Sequence, residues 1–96
     1  MIVLNVIYKC KPCLRDEFLE MIISEGIDTD SRADKVNIKY DYYIPADGSD
    51  DLLLIEKWSD ADAFAEHGKQ PQYARLGKLK AQYVNDTIIE IFETKD

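Results

Sequence analysis

Apolar residues crowd into four strand-like runs along this chain, and into helical spacing in the stretches between them. Residues 2–9 are rich in β-branched and aromatic side chains and predict a first strand. Pro12 interrupts it. From Cys13 to about Gly26, Leu14, Phe18, Met21 and Ile22 follow the i, i+4, i+7, i+8 spacing of one helical face, and Leu19 and Ile23 widen that stripe. Asp16, Glu17 and Glu20 occupy the first half, where the helix dipole favours negative charge, and Gly26 supplies a stop. The polar stretch 28–34 reads as a loop or a frayed helical turn. Residues 35–44 predict a second strand with Val36, Ile38, Tyr40, Tyr42 and Ile44 on one face. Pro45 to Asp50 is turn chemistry and predicts a hairpin into a third strand, Leu52 to Trp58. Ser59 reads as the N-cap of a helix whose narrow face carries Ala61, Phe64, Ala65 and Gly68. Pro71 breaks that helix and opens another at about 72–83, with Tyr73, Leu76, Tyr83 and either Leu79 or Lys80 inward. Residues 87–92 predict a fourth strand.

The order β-α-β-β-α(α)-β is that of two split βαβ units. It predicts the α+β class: a ferredoxin-like sandwich of one four-stranded antiparallel sheet with helices on one face. The strands do not alternate cleanly. Ile2, Leu4, Val6 and Tyr8 share one face of strand one, yet Val3 and Ile7 lie on the other; strands three and four repeat this with Leu53, Ile55, Ile88 and Phe92. Helices can cover only one side. The bare side exceeds the few hundred Å2 of apolar surface that a monomer normally exposes, so a homodimer is expected.

Length and charge narrow the functional classes. Residues 1–96 are expected to form a single domain. Acidic residues outnumber basic ones 19 to 12, a net charge of −7, which repels phosphate backbones and anionic lipid and argues against nucleic-acid or membrane partners. No apolar run approaches the roughly 20 residues that cross a bilayer, and the start lacks a basic leader. Two cysteines near one end make no disulfide framework, so a cytoplasmic location is expected. One His beside two Cys is an incomplete zinc set, and the four glycines are dispersed, so neither a metal nor a phosphate loop is expected.

The densest constellation of reactive side chains runs from Glu56 to Tyr73. Glu56 and Trp58, two apart on a strand, point to one face. A carboxylate there needs a partner if buried, as does the indole N–H. His67, the only histidine, has an ordinary pKa near neutrality and follows on the next helix. Asn37, ahead of Tyr40 on strand two, can bring an amide to the same pocket. The cluster Tyr40, Tyr42 and Tyr43 serves strand packing or walls a pocket for a planar ligand. Cys10-Lys11-Pro12-Cys13 has thiol–disulfide spacing between a strand and a helix start.

The run Glu56-Lys57-Trp58-Ser59-Asp60-Ala61-Asp62-Ala63-Phe64-Ala65-Glu66-His67, followed by Pro71-Gln72-Tyr73, resembles the signature of the antibiotic biosynthesis monooxygenase (ABM) domain. That signature shows E-x-W, then A-x-x-x-H, then P-H-F or P-H-Y. Pro12 with Phe18, and Asn37-Ile38-Lys39-Tyr40-Asp41, resemble it too, so the likeness covers nearly the whole chain. Gln72 stands where a second His is common, Val36 where a Gly often precedes the Asn, and Cys13 where the turn usually has Gly. The resemblance implies a ferredoxin-like fold and dimers closed sheet against sheet as an α+β barrel. The family includes cofactor-free oxygenases of quinols and aromatic polyketides, haem-degrading members, and an isomerase of a phosphorylated signalling sugar. The haem-degrading members carry a Trp where His67 aligns.

The expectation is therefore a cofactor-independent monooxygenase, needing no cofactor or metal, that joins dioxygen to a quinol-like or polyketide-like aromatic. Asn37, Trp58 and His67 are expected as donors or base, with Glu56 orienting one of them and Phe64, Tyr73 and Tyr40 lining the pocket. The alternatives are a non-catalytic small-molecule binding or sensor domain and an isomerase of a small phosphorylated carbohydrate.

Overall fold

The computed structural model describes residues 1–95. Strand β1 (Ile2–Cys10) sets the architecture, because every second side chain from Ile2 to Cys10 is buried. Antiparallel neighbours flank it on both sides: β3 (Asp51–Trp58) pairs Leu4 with Glu56 and Val6 with Leu54, and β4 (Val84–Glu93) pairs Val6 with Ile89. With β2 (Asn37–Tyr43) outside β3, the sheet order is β2-β3-β1-β4. This is the ferredoxin-like arrangement that the element order predicts.

The helices pack on the face bearing Leu4, Val6 and Tyr8. Phe18 and Ile22 of α1 (Arg15–Ser24) are fully buried against it, with Tyr8 edge-on to the Phe18 ring at 5.6 Å. Gly26, with φ +70°, turns the chain from α1 into α2 (Ile27–Arg32), so the polar stretch folds as a short helix and not as an open loop. Its inward side carries Ile27, Asp28 and Ser31, and Arg32 Nη1 donates to Asp28 Oδ2 at 3.0 Å along the helix. Gly48, with φ +78°, closes the β2–β3 connection, where the Ser49 backbone N–H donates to Asp47 Oδ1.

Several elements depart from the sequence pattern for identifiable reasons. Val36, Ile38 and Ile44 are exposed and do not join Tyr40 in the core. A bulge between Asn37 and Lys39 leaves Ile38 unpaired and exposed, and turns Asn37 to the Trp58 side. Asp60, not Ser59, caps α3 (Ala61–His67), its carboxylate accepting the Ala63 N–H at 2.8 Å. That cap rotates the helix so that Ala63 and His67 are buried while Ala61 and Ala65 face out. In α4 (Pro71–Tyr83), Gln72, Leu76 and Leu79 are buried, and Tyr73 is half-exposed beside the core. Strand β4 begins at Val84, directly on the end of α4. As an edge strand it stays open on both sides: Ile89 and Ile91 on the helix side, Ile88 and Phe92 on the other.

Candidate functional site

Register decides which side chains meet beneath the helices. Tyr40, Glu56, Leu4 and Ile91 stand in one row across the sheet, and Asn37, Trp58 and Ile2 in the next. Glu56 is thus a carboxyl placed mid-sheet on the buried face, 6% exposed. Capping by Asp60 brings α3 back over this spot, and His67 lands on the Trp58 indole, with ring centroids 4.5 Å apart at a 32° tilt. The imidazole is 3% exposed. Tyr40 and Tyr73 close on it edgewise, at 5.7 and 5.4 Å.

A line of polar groups runs through this cluster. Trp58 Nε1 donates to Glu56 Oε1 at 3.1 Å. His67 Nε2 lies 3.9 Å from the same oxygen, and His67 Nδ1 lies 3.5 Å from Asp34 Oδ2. Burial pushes the Glu56 carboxyl up to about 7, with the Trp58 hydrogen bond pulling the other way. Burial also lowers the pKa of His67, opposed by the Asp34 carboxylate. Two groups of opposite type are therefore both drawn toward their neutral forms, and burial sets a carboxyl that holds its proton up to about 7 beside an imidazole that resists taking one.

A cavity of about 100 Å3 opens beside this pair. Glu56, His67, Phe64 and Tyr73 line it, with Leu4, Val6 and Tyr8 from β1, Lys80 from α4, and Thr87 and Ile89 from β4. It has the scale of a single aromatic ring, since cavities of roughly 150 Å3 hold benzene. A second hollow, on the far side of the imidazole, is lined by Asp34, Lys35, Val36, Ala63, Glu66, His67 and Gln70. His67 is the wall between the two.

Four of the seven residues singled out in the sequence, Glu56, Phe64, His67 and Tyr73, meet in the cavity. Trp58 and Tyr40 stand behind the imidazole, outside the lining. Asn37 is apart from it: its amide donates to the Lys39 carbonyl at 3.0 Å and the Lys57 carbonyl at 3.4 Å, bridging the bulge. Asp34, Lys80 and Thr87 are the residues the sequence pattern missed. Asp34 lies in a polar run with no periodic signal, and Lys80 adjoins the buried Leu79, so helical spacing alone does not say which turns inward.

The two cysteines are both free. Cys10 is buried, and burial raises its thiol to about 11. Cys13 is exposed and holds φ +64°, a conformation that favours glycine.

The sequence profile of the Antibiotic biosynthesis monooxygenase family matches residues 1–78. The chain belongs to that family. The protein named Putative monooxygenase YcnE, from Bacillus subtilis (strain 168), is 32% identical over 73 residues, which is 76% of this chain and 75% of that one. Among solved structures, the protein titled Putative antibiotic biosynthesis monooxygenase from Nitrosomonas europaea superposes with a TM-score of 0.88 at 18% identity, over all of both chains. Rv0793 from Mycobacterium tuberculosis gives 0.86 at 21% identity, over 99% of this chain and 95% of that one. At such identities the ABM superpositions speak for the fold. Among the described residues no helix is long and apolar enough to cross a membrane.

Proposed function

We propose that this ABM protein is a cofactor-independent monooxygenase acting on a single-ring, quinol-like aromatic. The observation that carries the reading is the meeting of Glu56 and His67 at one apolar cavity of ring size. A phenol held against Leu4, Val6 and Phe64 presents its O–H to Glu56 or to His67 Nε2, which takes the proton. The resulting anion is electron-rich enough to pass one electron to dioxygen. The superoxide and aryl radical recombine at a ring carbon, and the hydroperoxide loses water. The balance is one hydroquinone and one dioxygen giving one hydroxyquinone and one water. The apolar walls keep water from the radical pair, and the neutral imidazole supplies a fixed donor or acceptor.

Within this reading Trp58 and Asn37 are positioning residues, because their N–H groups are spent on Glu56 and on backbone carbonyls. Tyr40 and Tyr73 support the ring of His67 edge-on, and Tyr73 also lines the cavity. A polycyclic substrate fits the cavity less well than one ring. A homodimer closed sheet against sheet is part of the same reading: Ile88 with Ile7 and Leu53, and Phe92 with Val3, form apolar rows on the uncovered face. A cytosolic location agrees with the free thiols.

Oxygen uptake with purified protein and a panel of substituted hydroquinones tests the activity. Uptake of one dioxygen per quinol, with label from 18O2 in the quinone, is the expected result. Uptake no faster than autoxidation across the panel would leave a ligand-binding domain without turnover.

A further inference from the structure

The cavity does not end at its apolar walls. At Gly77, Lys80 and Thr87 it runs on into an open groove bounded by Ala81, Val84, Asn85 and Asp86. Lys80 is the single cationic side chain in the lining, in a chain of net charge −7. Its ammonium sits 5.6 Å from the centre of the Tyr8 ring, so the cavity wall itself holds it in place. The ion pairs among the described residues use Lys9, Arg15, Arg32, Lys69 and Arg75, and Lys80 is in none of them. At the opposite end of the lining stands Glu56, a carboxyl drawn toward its neutral form, beside a histidine drawn the same way.

From this polarity we infer that the substrate is an aromatic monoanion, its phenol directed to Glu56 and His67 and a carboxylate on a short side chain directed outward to Lys80 and Thr87. This deepens the monooxygenase reading and rests on it for the phenol end only. The cavity is of ring size and continues into the groove, so a substituent on the ring has the groove to occupy, and the groove begins at the Lys80 ammonium and the Thr87 hydroxyl. The carboxylate is preferred to a phosphomonoester on charge. One ammonium, with Asp86 on the same groove and a strongly acidic chain around it, balances one negative charge and not two.

Calorimetric titration with redox-inert probes separates this from turnover. The probes are 4-methoxyphenylacetate, its neutral isostere 4-methoxyphenylacetamide, and 4-methoxybenzyl phosphate. Wild-type protein should bind the carboxylate about fivefold more tightly than the amide, the scale of one partly exposed ion pair. Lys80→Gln should erase that preference, the carboxylate losing more affinity than the amide, and Lys80→Arg should keep most of it. Equal affinities in the wild type, a preference that survives Lys80→Gln, tighter binding of the phosphate, or no binding of any probe would each overturn the inference. If the preference holds and hydroquinones bearing a carboxylate still draw no oxygen, the monooxygenase reading fails and this one stands.

Discussion

Trp58 Nε1 and His67 Nε2 address the same oxygen, Oε1 of Glu56, from 3.1 and 3.9 Å. The indole has one donor and spends it there, so the stacked imidazole is left as the group that can exchange a proton with the carboxyl. Removing the indole donor removes the one interaction that lowers the pKa of Glu56. Trp58→Phe should therefore raise the apparent pKa of Glu56 further above about 7. The pH midpoint of oxygen uptake measures this directly. It should move to higher pH, at a stability cost of about 1–2 kcal/mol for the lost hydrogen bond and ring area. An unmoved midpoint would mean that Glu56 does not control the rate.

Glu56 also ties stability to pH, and the sign follows from its direction. The folded carboxyl titrates at about 7 against an ordinary value of 4.5, so the native state holds its proton more tightly than the unfolded chain does. Stability from this group is full below pH 4.5 and is lost as pH rises toward about 7. The loss is on the order of 3 kcal/mol. Glu56→Gln keeps an acceptor for Trp58 and cannot ionise. It should match the wild type in urea unfolding at acid pH and exceed its stability above neutrality. In the same variant, oxygen uptake should drop by about 100-fold or more if Glu56 is the base.

His67 behaves in the opposite sense. Its pKa is lowered by burial and partly restored by Asp34 at 3.5 Å. A buried imidazole that resists charging binds fewer protons folded than unfolded, so its contribution is present above the ordinary histidine pKa of 6.5 and is lost as pH falls through the lowered value. Because the chain has a single histidine, its ring resonances follow this titration without assignment. Asp34→Asn should move the midpoint to lower pH. A midpoint unchanged by that substitution would show that the 3.5 Å contact carries no interaction energy.

The parts of the fold that were legible in the chain are those where one physical signal dominates. The two faces of β1, the Phe18/Ile22 stripe and the E-x-W spacing all come from strict period-two or helical spacing, and all three appear where the pattern puts them. What the pattern could not carry were small offsets with large angular consequences. A one-residue bulge at Ile38 turned Asn37 across the sheet, and a one-residue shift of cap from Ser59 to Asp60 rotated α3. Of the four singled-out residues that meet in the cavity, Glu56 and His67 stand out in the chain because their chemistry is unusual for apolar surroundings. Asp34 and Lys80 were not legible because acidic and basic residues on helix ends and loops are ordinary, and only tertiary packing sets His67 beside the one and Tyr8 beside the other.

Cys13 offers a test that touches backbone alone. Its φ of +64° is a left-handed conformation that a side chain with a Cβ adopts at a cost of about 1–2 kcal/mol. Glycine there removes that strain but adds freedom to the unfolded chain, worth about 0.4–1 kcal/mol in the other direction. Cys13→Gly should therefore stabilise the protein by a few tenths to about 1 kcal/mol and leave activity unchanged. The thiol–disulfide reading of Cys10 and Cys13 makes the opposite forecast, since loss of either sulfur would end the reaction. Thermal unfolding and oxygen uptake on the one variant decide between them.

The uncovered sheet face makes the sharpest prediction about assembly. Ile88 and Phe92 project from β4 on the side that no helix reaches, each exposed by two-fifths or more, and they continue the rows of Ile7 and Val3. A charge at either position costs the isolated chain little, because neither side chain belongs to its core. In a sheet-to-sheet dimer the same charge would be buried without a partner, which costs several kcal/mol per subunit. Ile88→Asp with Phe92→Asp should thus shift the sedimenting species from twice 11.1 kDa to 11.1 kDa at micromolar concentration while the circular dichroism spectrum is retained. Wild-type protein that sediments at 11.1 kDa would remove the dimer from the reading. The cavity under the helices is formed within one chain, so the charged variant should still bind the aromatic probes, and loss of binding would instead show that the second copy braces β4 against the mouth at Thr87 and Ile89.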